Sequence, residues 1–178
     1  MALPVASRRL ALLAALATAV AACSLGDSTT GIEEPQIANP RTATYAAAFV
    51  PPIVINQMAV RDSGLFFEDF TVGTGDSIVA ADTTALSLTR VQVHYRLWLT
   101  NGTLVEERQP PEPPVEFTSL RRGAIINGWR AGLQGMRVGG RRRLVMSPLW
   151  GFGFAQDGRV PPNSILIFEI TLRGITRF

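Results

Sequence analysis

Two adjacent carboxylates and one histidine are the residues of this chain whose types most readily suggest chemistry. Glu106-Glu107 could act as a general acid/base pair if both side chains entered one site. Adjacent residues on a strand point to opposite faces, so we interpret the pair as part of a solvated turn. His94 is the only histidine. Without a second ligand or a serine or cysteine partner it makes neither a metal site nor a triad, and we expect a structural role.

The chain has one basic run, Arg141-Arg142-Arg143, and no lysine. Alternate members of such a run on a strand face opposite ways, which favours a solvated sheet edge over a phosphate site. Of the 17 basic residues, Arg8 and Arg9 lie near the N-terminus, and the other 15 nearly balance 14 acidic residues. The charge therefore gives no indication of nucleic-acid binding.

A glycine-rich stretch surrounds Trp129, with the sequence GAIINGWRAGLQGM over residues 123–136. Its apolar side chains recur at helical spacing, although glycine costs a helix interior about 1 kcal/mol relative to alanine. Tertiary packing must therefore stabilise this predicted helix. Trp129 then either fills the core or forms the apolar floor of a pocket.

Strands must position these residues. Apolar and polar residues alternate over residues 91–100 and again over 166–172, which predicts two half-buried strands. Asn101-Gly102 predicts a tight hairpin turn after the first of them. Residues 64–70 and 143–147 are further strand candidates. One short helix among antiparallel strands predicts an α+β domain in which the sheet curves around the helix.

The N-terminus predicts export. Residues 1–22 combine Arg8-Arg9, an apolar run too short to span a bilayer and small residues before Cys23, as in a signal peptide. Val20-Ala21-Ala22-Cys23 resembles a bacterial lipobox, which implies lipid attachment at Cys23. Ser24 in place of aspartate favours the outer membrane, facing the periplasm. We predict a flexible tether over 23–60 and one domain over 61–178.

Several motifs in the predicted domain resemble those of the FKBP-type peptidyl-prolyl isomerases in order and spacing. They cover roughly residues 61–176: Val93-His94-Tyr95, Asn101-Gly102, Ile125-Ile126, Gly128-Trp129, Gly132-Leu133, Ser147-Pro148, Gly151-x-Gly153, Val160-Pro161-Pro162-Asn163 and Leu166-x-Phe168. The resemblance implies isomerisation of X-Pro bonds in unfolded exported proteins, without a metal or cofactor. The sequence shows no oligomer signal, so we expect a monomer.

By the same resemblance, the catalytic positions are Tyr95, Val105, Glu106, Ile126, Trp129, Phe152 and Phe168, and the substrate-binding positions are Val115, Ile125 and Val160. Trp129 would lie under the proline ring, and the Ile126 amide would bind the substrate carbonyl. Val105-Glu106 replaces the family's usual Phe-Asp, and Phe152 replaces a tyrosine. These departures leave two hypotheses open: a working isomerase, or a catalytically weak peptide-binding or chaperone module with the same fold.

Overall fold

The computed structural model describes residues 35–79 and 89–178. Within them lie one α-helix, two 3₁₀ turns and seven strands. The bounds are β1 Ala59–Asp62, β2 Leu65–Thr71, β3 Thr89–Leu99, β4 Leu104–Arg108, β5 Val115–Phe117, α1 Asn127–Gly132, β6 Arg141–Met146 and β7 Leu166–Arg177, with the 3₁₀ turns at Ile55–Gln57 and Pro148–Trp150. The strands form one antiparallel sheet in the order β1-β2-β6-β7-β3-β4, and β5 pairs with β3. The predicted α+β class, an antiparallel sheet with one short helix, is confirmed.

The two long strands, β3 and β7, form the centre of the sheet. They pair from Thr89 opposite Arg177 to Leu99 opposite Leu166. Alternate β3 residues enter the core on the helix side because successive strand residues face opposite ways. Gly102, at φ 85°, supplies the turn into β4 that the Asn-Gly sequence predicted.

The glycines of α1 allow the helix to approach β6 closely. A Cβ atom added at Gly132 would lie 2.5 Å from Leu144 Cδ1, and one at Gly128 would lie 2.7 Å from Met146 Cε. Either distance is too short for a real contact. The helix is shorter than the apolar spacing over 125–136 suggested, but tertiary packing stabilises it as expected.

Residues 35–58 form a strap across the sheet face that α1 does not cover. Phe49, Ile55 and Met58 are buried there against β2, β6 and β7. The backbone N–H of Ala46 also donates to the Thr100 carbonyl at 2.8 Å. The prediction of a flexible tether up to residue 60 is therefore wrong for the strap. Its apolar side chains are buried in a second hydrophobic cluster, here called the outer core, between the strap and the sheet.

A row of alternating charges crosses the strap side of the sheet. Glu68, Arg143, Glu169, Arg96 and Glu107 lie opposite one another in register on β2, β6, β7, β3 and β4. Arg143 is fully buried beneath the strap and donates to Glu169 at 2.8 Å and to the Pro51 carbonyl at 2.8 Å.

Arg142 faces the other way, toward the helix. It is 4% exposed, and its guanidinium donates to both carboxylate oxygens of Asp69 and to the Gly132 and Gln134 carbonyls. The prediction that residues 141–143 form a solvated edge is therefore wrong. Arg142 and Arg143 do point to opposite faces of the strand, as predicted. β6 is an inner strand, however, and its two faces are covered by α1 and by the strap.

The predicted signal peptide and Cys23 lie outside the described residues. Among those described, no helix has the length and apolarity that crossing a bilayer requires.

Candidate functional site

Trp129 lies at the centre of an aromatic cluster on the helix side of the sheet. It occupies the first turn of α1 and is 3% exposed. Its indole is surrounded edge-on by the rings of Phe117, Tyr95 and Phe168, whose centroids are 5.0, 5.2 and 5.2 Å away. Such edge-to-face contacts fix ring orientation as well as burying area. The indole is thus held rigidly in one orientation.

A cavity of about 160 Å³ opens above this cluster. Apart from the Tyr95 hydroxyl and the Glu106 carboxylate, its lining side chains are apolar. The lining residues are Tyr95, Leu97, Glu106, Phe117, Ala124, Ile125, Ile126, Trp129, Phe152 and Phe168. Such a cavity accepts a small apolar ring and offers almost nothing for a charged group to bind.

A second cavity of about 360 Å³ adjoins the first and shares Leu97, Glu106 and Phe152 with it. The other lining residues are Val105, Asp157, Gly158, Arg159 and Val160. The structure therefore places Val105 and Val160 beside the aromatic cavity, in this second one. The small side chain at position 105 contributes to the space there.

Val115 does not line either of these cavities. It lies opposite Val93 on β5 and packs against the edge of the core, whereas Phe117 reaches Trp129. The structure therefore does not bring Val115 to the cavities with the other residues to which the sequence assigned substrate binding. Leu97, Phe117 and Ala124 were missed. Strand alternation could have indicated two of them, since Leu97 shares a face with Tyr95, and Phe117 shares one with Val115.

Glu106 and Glu107 do diverge, but they lie on β4 and not in a solvated turn. Glu107 pairs with Arg96 on the opposite side of the sheet, at 3.0 Å. Glu106 turns into the cavity and accepts a 2.7 Å hydrogen bond from the Tyr95 hydroxyl. Burial, and then this hydrogen bond, raise the pKa of Tyr95 well above its ordinary value. The phenol is therefore neutral at physiological pH and keeps its proton for donation.

His94 lies outside both cavities. It is buried, and its Nε2 lies 3.0 Å from the Glu112 carbonyl, so it holds the proline-rich loop of residues 109–114 against β3. In the described part of the chain, no cluster of three or more His, Cys, Asp or Glu residues could hold a metal.

Comparison with known proteins shows which family the chain resembles. The family model of the FKBP-type peptidyl-prolyl cis-trans isomerases matches residues 81–173. An FK506-binding protein of Neisseria meningitidis serogroup B is 36% identical over 110 residues, which are 61% of this chain and 94% of the relative. A probable FKBP-type peptidyl-prolyl cis-trans isomerase of Haemophilus influenzae is 37% identical over 114 residues, 64% of this chain and 43% of the relative.

Solved structures give the same result. A peptidyl-prolyl cis-trans isomerase from Pseudomonas syringae pv. tomato aligns with TM-score 0.52 and 28% identity, covering 64% of this chain and 76% of that structure. FkpA from Escherichia coli aligns with TM-score 0.55 and 27% identity, covering 64% of this chain and 49% of that structure.

Proposed function

The chain belongs to the FKBP-type peptidyl-prolyl cis-trans isomerase family, and from that premise we propose that it assists the folding of exported proteins while anchored by lipid to the periplasmic side of a membrane. Its chemistry is isomerisation of X-Pro peptide bonds. We place this reaction in the aromatic cavity, with exported proteins as the substrates.

The reaction needs a site that prefers a twisted amide. Rotation about X-Pro breaks the resonance of the C–N bond, with a barrier near 20 kcal/mol and uncatalysed times of tens of seconds. The twisted amide is less polar than the planar one, so an apolar cavity disfavours the ground state more than the transition state. This is catalysis by differential binding, and it requires no nucleophile.

The rigid aromatic floor is the observation that supports the aromatic cavity as this site. We place the pyrrolidine ring on the Trp129 indole, with Tyr95, Phe117 and Phe168 enclosing it. The Ile126 amide, at the rim where α1 begins, binds the substrate carbonyl. The Tyr95–Glu106 pair is the polar group closest to the ring and orients the rotating amide.

A second candidate function is a peptide-binding module with weak catalysis. The observation that favours it is the pair of apolar residues where the family commonly has larger or polar groups. Phe152 lines both cavities without a hydroxyl donor, and Val105 leaves room in the second cavity. A missing hydrogen bond to substrate removes about 1 kcal/mol of binding, which is about fivefold in rate.

Cis-to-trans isomerisation of proline tetrapeptides by the chain from residue 24 tests the function. Trp129→Leu removes the floor, whereas Trp98→Leu changes a tryptophan that packs against Phe49 on the strap side. We expect acceleration that falls about tenfold or more in Trp129→Leu and persists in Trp98→Leu. Peptide binding without acceleration would favour the second candidate. Equal activity in both variants would contradict the assignment of the aromatic cavity.

The anchor has its own test. Labelled palmitate should be incorporated into the full chain and into Ser24→Ala, but not into Cys23→Ser. We also expect Ser24→Asp to move the protein from the outer-membrane to the inner-membrane fraction. Incorporation into Cys23→Ser would contradict lipid attachment at Cys23.

A further inference from the structure

Asn163 connects the N-terminal strap to the loop that forms one wall of both cavities. Its side-chain Oδ1 accepts a hydrogen bond from the Ala38 N–H at 2.9 Å, and its Nδ2 donates to the Gln36 carbonyl at 2.9 Å. The amide therefore pairs with the strap backbone through one donor and one acceptor, as a neighbouring strand would. Its backbone N–H also donates to the Gly153 carbonyl at 2.9 Å.

The backbone conformation of Asn163 restricts which residues can occupy this position. Its φ of 57° is the only positive value at a non-glycine residue in the described part of the chain. Asparagine tolerates this left-handed conformation better than most residues do. The position therefore accepts asparagine or glycine with little strain, but only asparagine can also bind the strap.

The loop of residues 151–163, here called the pocket loop, carries much of the cavity wall. Phe152 lines both cavities, and Asp157, Gly158, Arg159 and Val160 line the second. Gly153 and Gly158 both have positive φ, and residues 154–159 are exposed. Its backbone hydrogen bonds are local turns, such as the pair between Asp157 and Val160, and Val160 is its only buried residue. Ordering the exposed residues 154–159 on substrate binding therefore costs conformational entropy.

The strap, in contrast, is held firmly. Phe49 and Ile55 are buried in the outer core, Arg143 donates to the Pro51 carbonyl, and the Tyr45 hydroxyl donates to the Pro40 carbonyl at 2.8 Å. Asn163 thus attaches the loop to Gln36 and Ala38 at the start of the strap, next to the buried Pro40 and ahead of these anchors. A loop fixed before substrate arrives loses less entropy on binding.

We propose that Asn163 is a positioning residue for the isomerase: by pairing with Gln36 and Ala38 of the strap, it fixes the pocket loop in the shape that binds proline peptides. The inference rests on isomerase activity at the aromatic cavity. Because its effect is on the loop before binding, it changes KM more than kcat.

Variants on either side of the contact test this in the full chain. Asn163→Gly removes both side-chain bonds but keeps the backbone conformation. Ala38→Pro puts a ring carbon where the strap N–H was, which displaces the Asn163 side chain from Ala38 and Gln36 without changing the loop. We expect each to raise KM about fivefold with kcat within about twofold. Asn163→Asp, which keeps the acceptor for Ala38, should lie in between. Gln92→Ala, which removes only an exposed bond to Glu116 away from the loop and the strap, should behave as the wild type.

A second readout does not depend on activity. Arg159 is exposed in the pocket loop, so trypsin cleavage after it reports loop opening. We expect cleavage to accelerate several-fold in Asn163→Gly and Ala38→Pro but not in Gln92→Ala. The double variant should be no worse than either single one, because both break the same contact.

Unchanged KM and unchanged cleavage in both single variants would overturn the proposal, as would additive effects in the double variant. Loss of kcat with KM unchanged would also overturn it. If the wild type proved inactive, faster cleavage in the variants would still support the strap contact, so the failure of the isomerase assignment is distinguishable.

Discussion

The Tyr95 hydroxyl donates a 2.7 Å hydrogen bond to Glu106 Oε1 across the β3–β4 pair, at the mouth of an otherwise apolar cavity. The bond gives the two residues fixed positions relative to each other. It also explains why a glutamate serves at this position, since its carboxylate reaches the phenol.

Removing this carboxylate should reduce turnover. We expect Glu106→Ala to lower kcat/KM about fivefold, because the hydroxyl loses the partner that orients it, a change of about 1 kcal/mol. Glu107→Ala is the matched control, as its side chain pairs with Arg96 away from the cavity. The tetrapeptide assay measures both. Equal losses would contradict the role of Glu106.

Enlarging Val105 should increase activity. Val105 lines the second cavity, which has room for a larger side chain, and Phe at this position would extend the wall next to Phe152. We expect Val105→Phe, with Glu106 kept so that its bond to Tyr95 is preserved, to raise kcat/KM several-fold through added apolar contact. Val105→Ile should give a smaller gain. An unchanged rate in a correctly folded variant would show that residue 105 does not limit catalysis.

Breaking the buried part of the charge row should destabilise the fold. Arg143→Ala removes a fully buried guanidinium but leaves Glu169 paired with Arg141, so the loss in the free energy of unfolding should be about 3 kcal/mol, at the low end for a broken buried pair. Arg96→Ala breaks the exposed pair with Glu107 and should cost no more than about 1 kcal/mol. Denaturant unfolding measures the difference. Comparable losses would mean that the strap does not shield Arg143 from solvent.

Both tyrosines of the chain should ionise late. Burial raises the pKa of Tyr45 and of Tyr95, and the hydrogen bond to Glu106 raises that of Tyr95 further. A folded-state pKa above the unfolded value of about 10 gives stability that is complete below about pH 10 and is lost as the pH rises further.

Phenolate absorbance should therefore appear at higher pH in the folded chain than in the unfolded chain. The fall in unfolding free energy above about pH 10 should be smaller in Tyr95→Phe. A folded chain that titrates like the unfolded one would contradict the burial of both phenols.

The sheet could be predicted because its long strands carry a clear period. β3 and β7 alternate along their length, and Asn101-Gly102 marks the turn between β3 and β4. β1 and β5 were not foreseen, since strands of four and three residues are too short to show alternation. The strap was missed for a related reason. Phe49, Ile55 and Met58 are irregularly spaced, and a non-repetitive segment has no period to indicate burial.

The site was predicted only in part. Trp129, Tyr95 and Phe168 could be assigned through motifs, and the structure brings them together. Phe117 was missed because β5 has only three residues, too few to show from the sequence which of them face the cavity. The buried arginines were misread because a single sequence does not reveal which carboxylates face them from neighbouring strands.

The row of alternating charges also limits how the strands can align. Hydrophobic alternation is unchanged by a slip of two residues, which returns every side chain to the same face. Such a slip between β6 and β7 would place Arg143 opposite Ile167 or Thr171 instead of Glu169. A buried guanidinium without its carboxylate is strongly unfavourable, so the shifted pairing of β6 and β7 is much less stable than the observed one. The row thus selects one strand register among several that the hydrophobic pattern alone would allow.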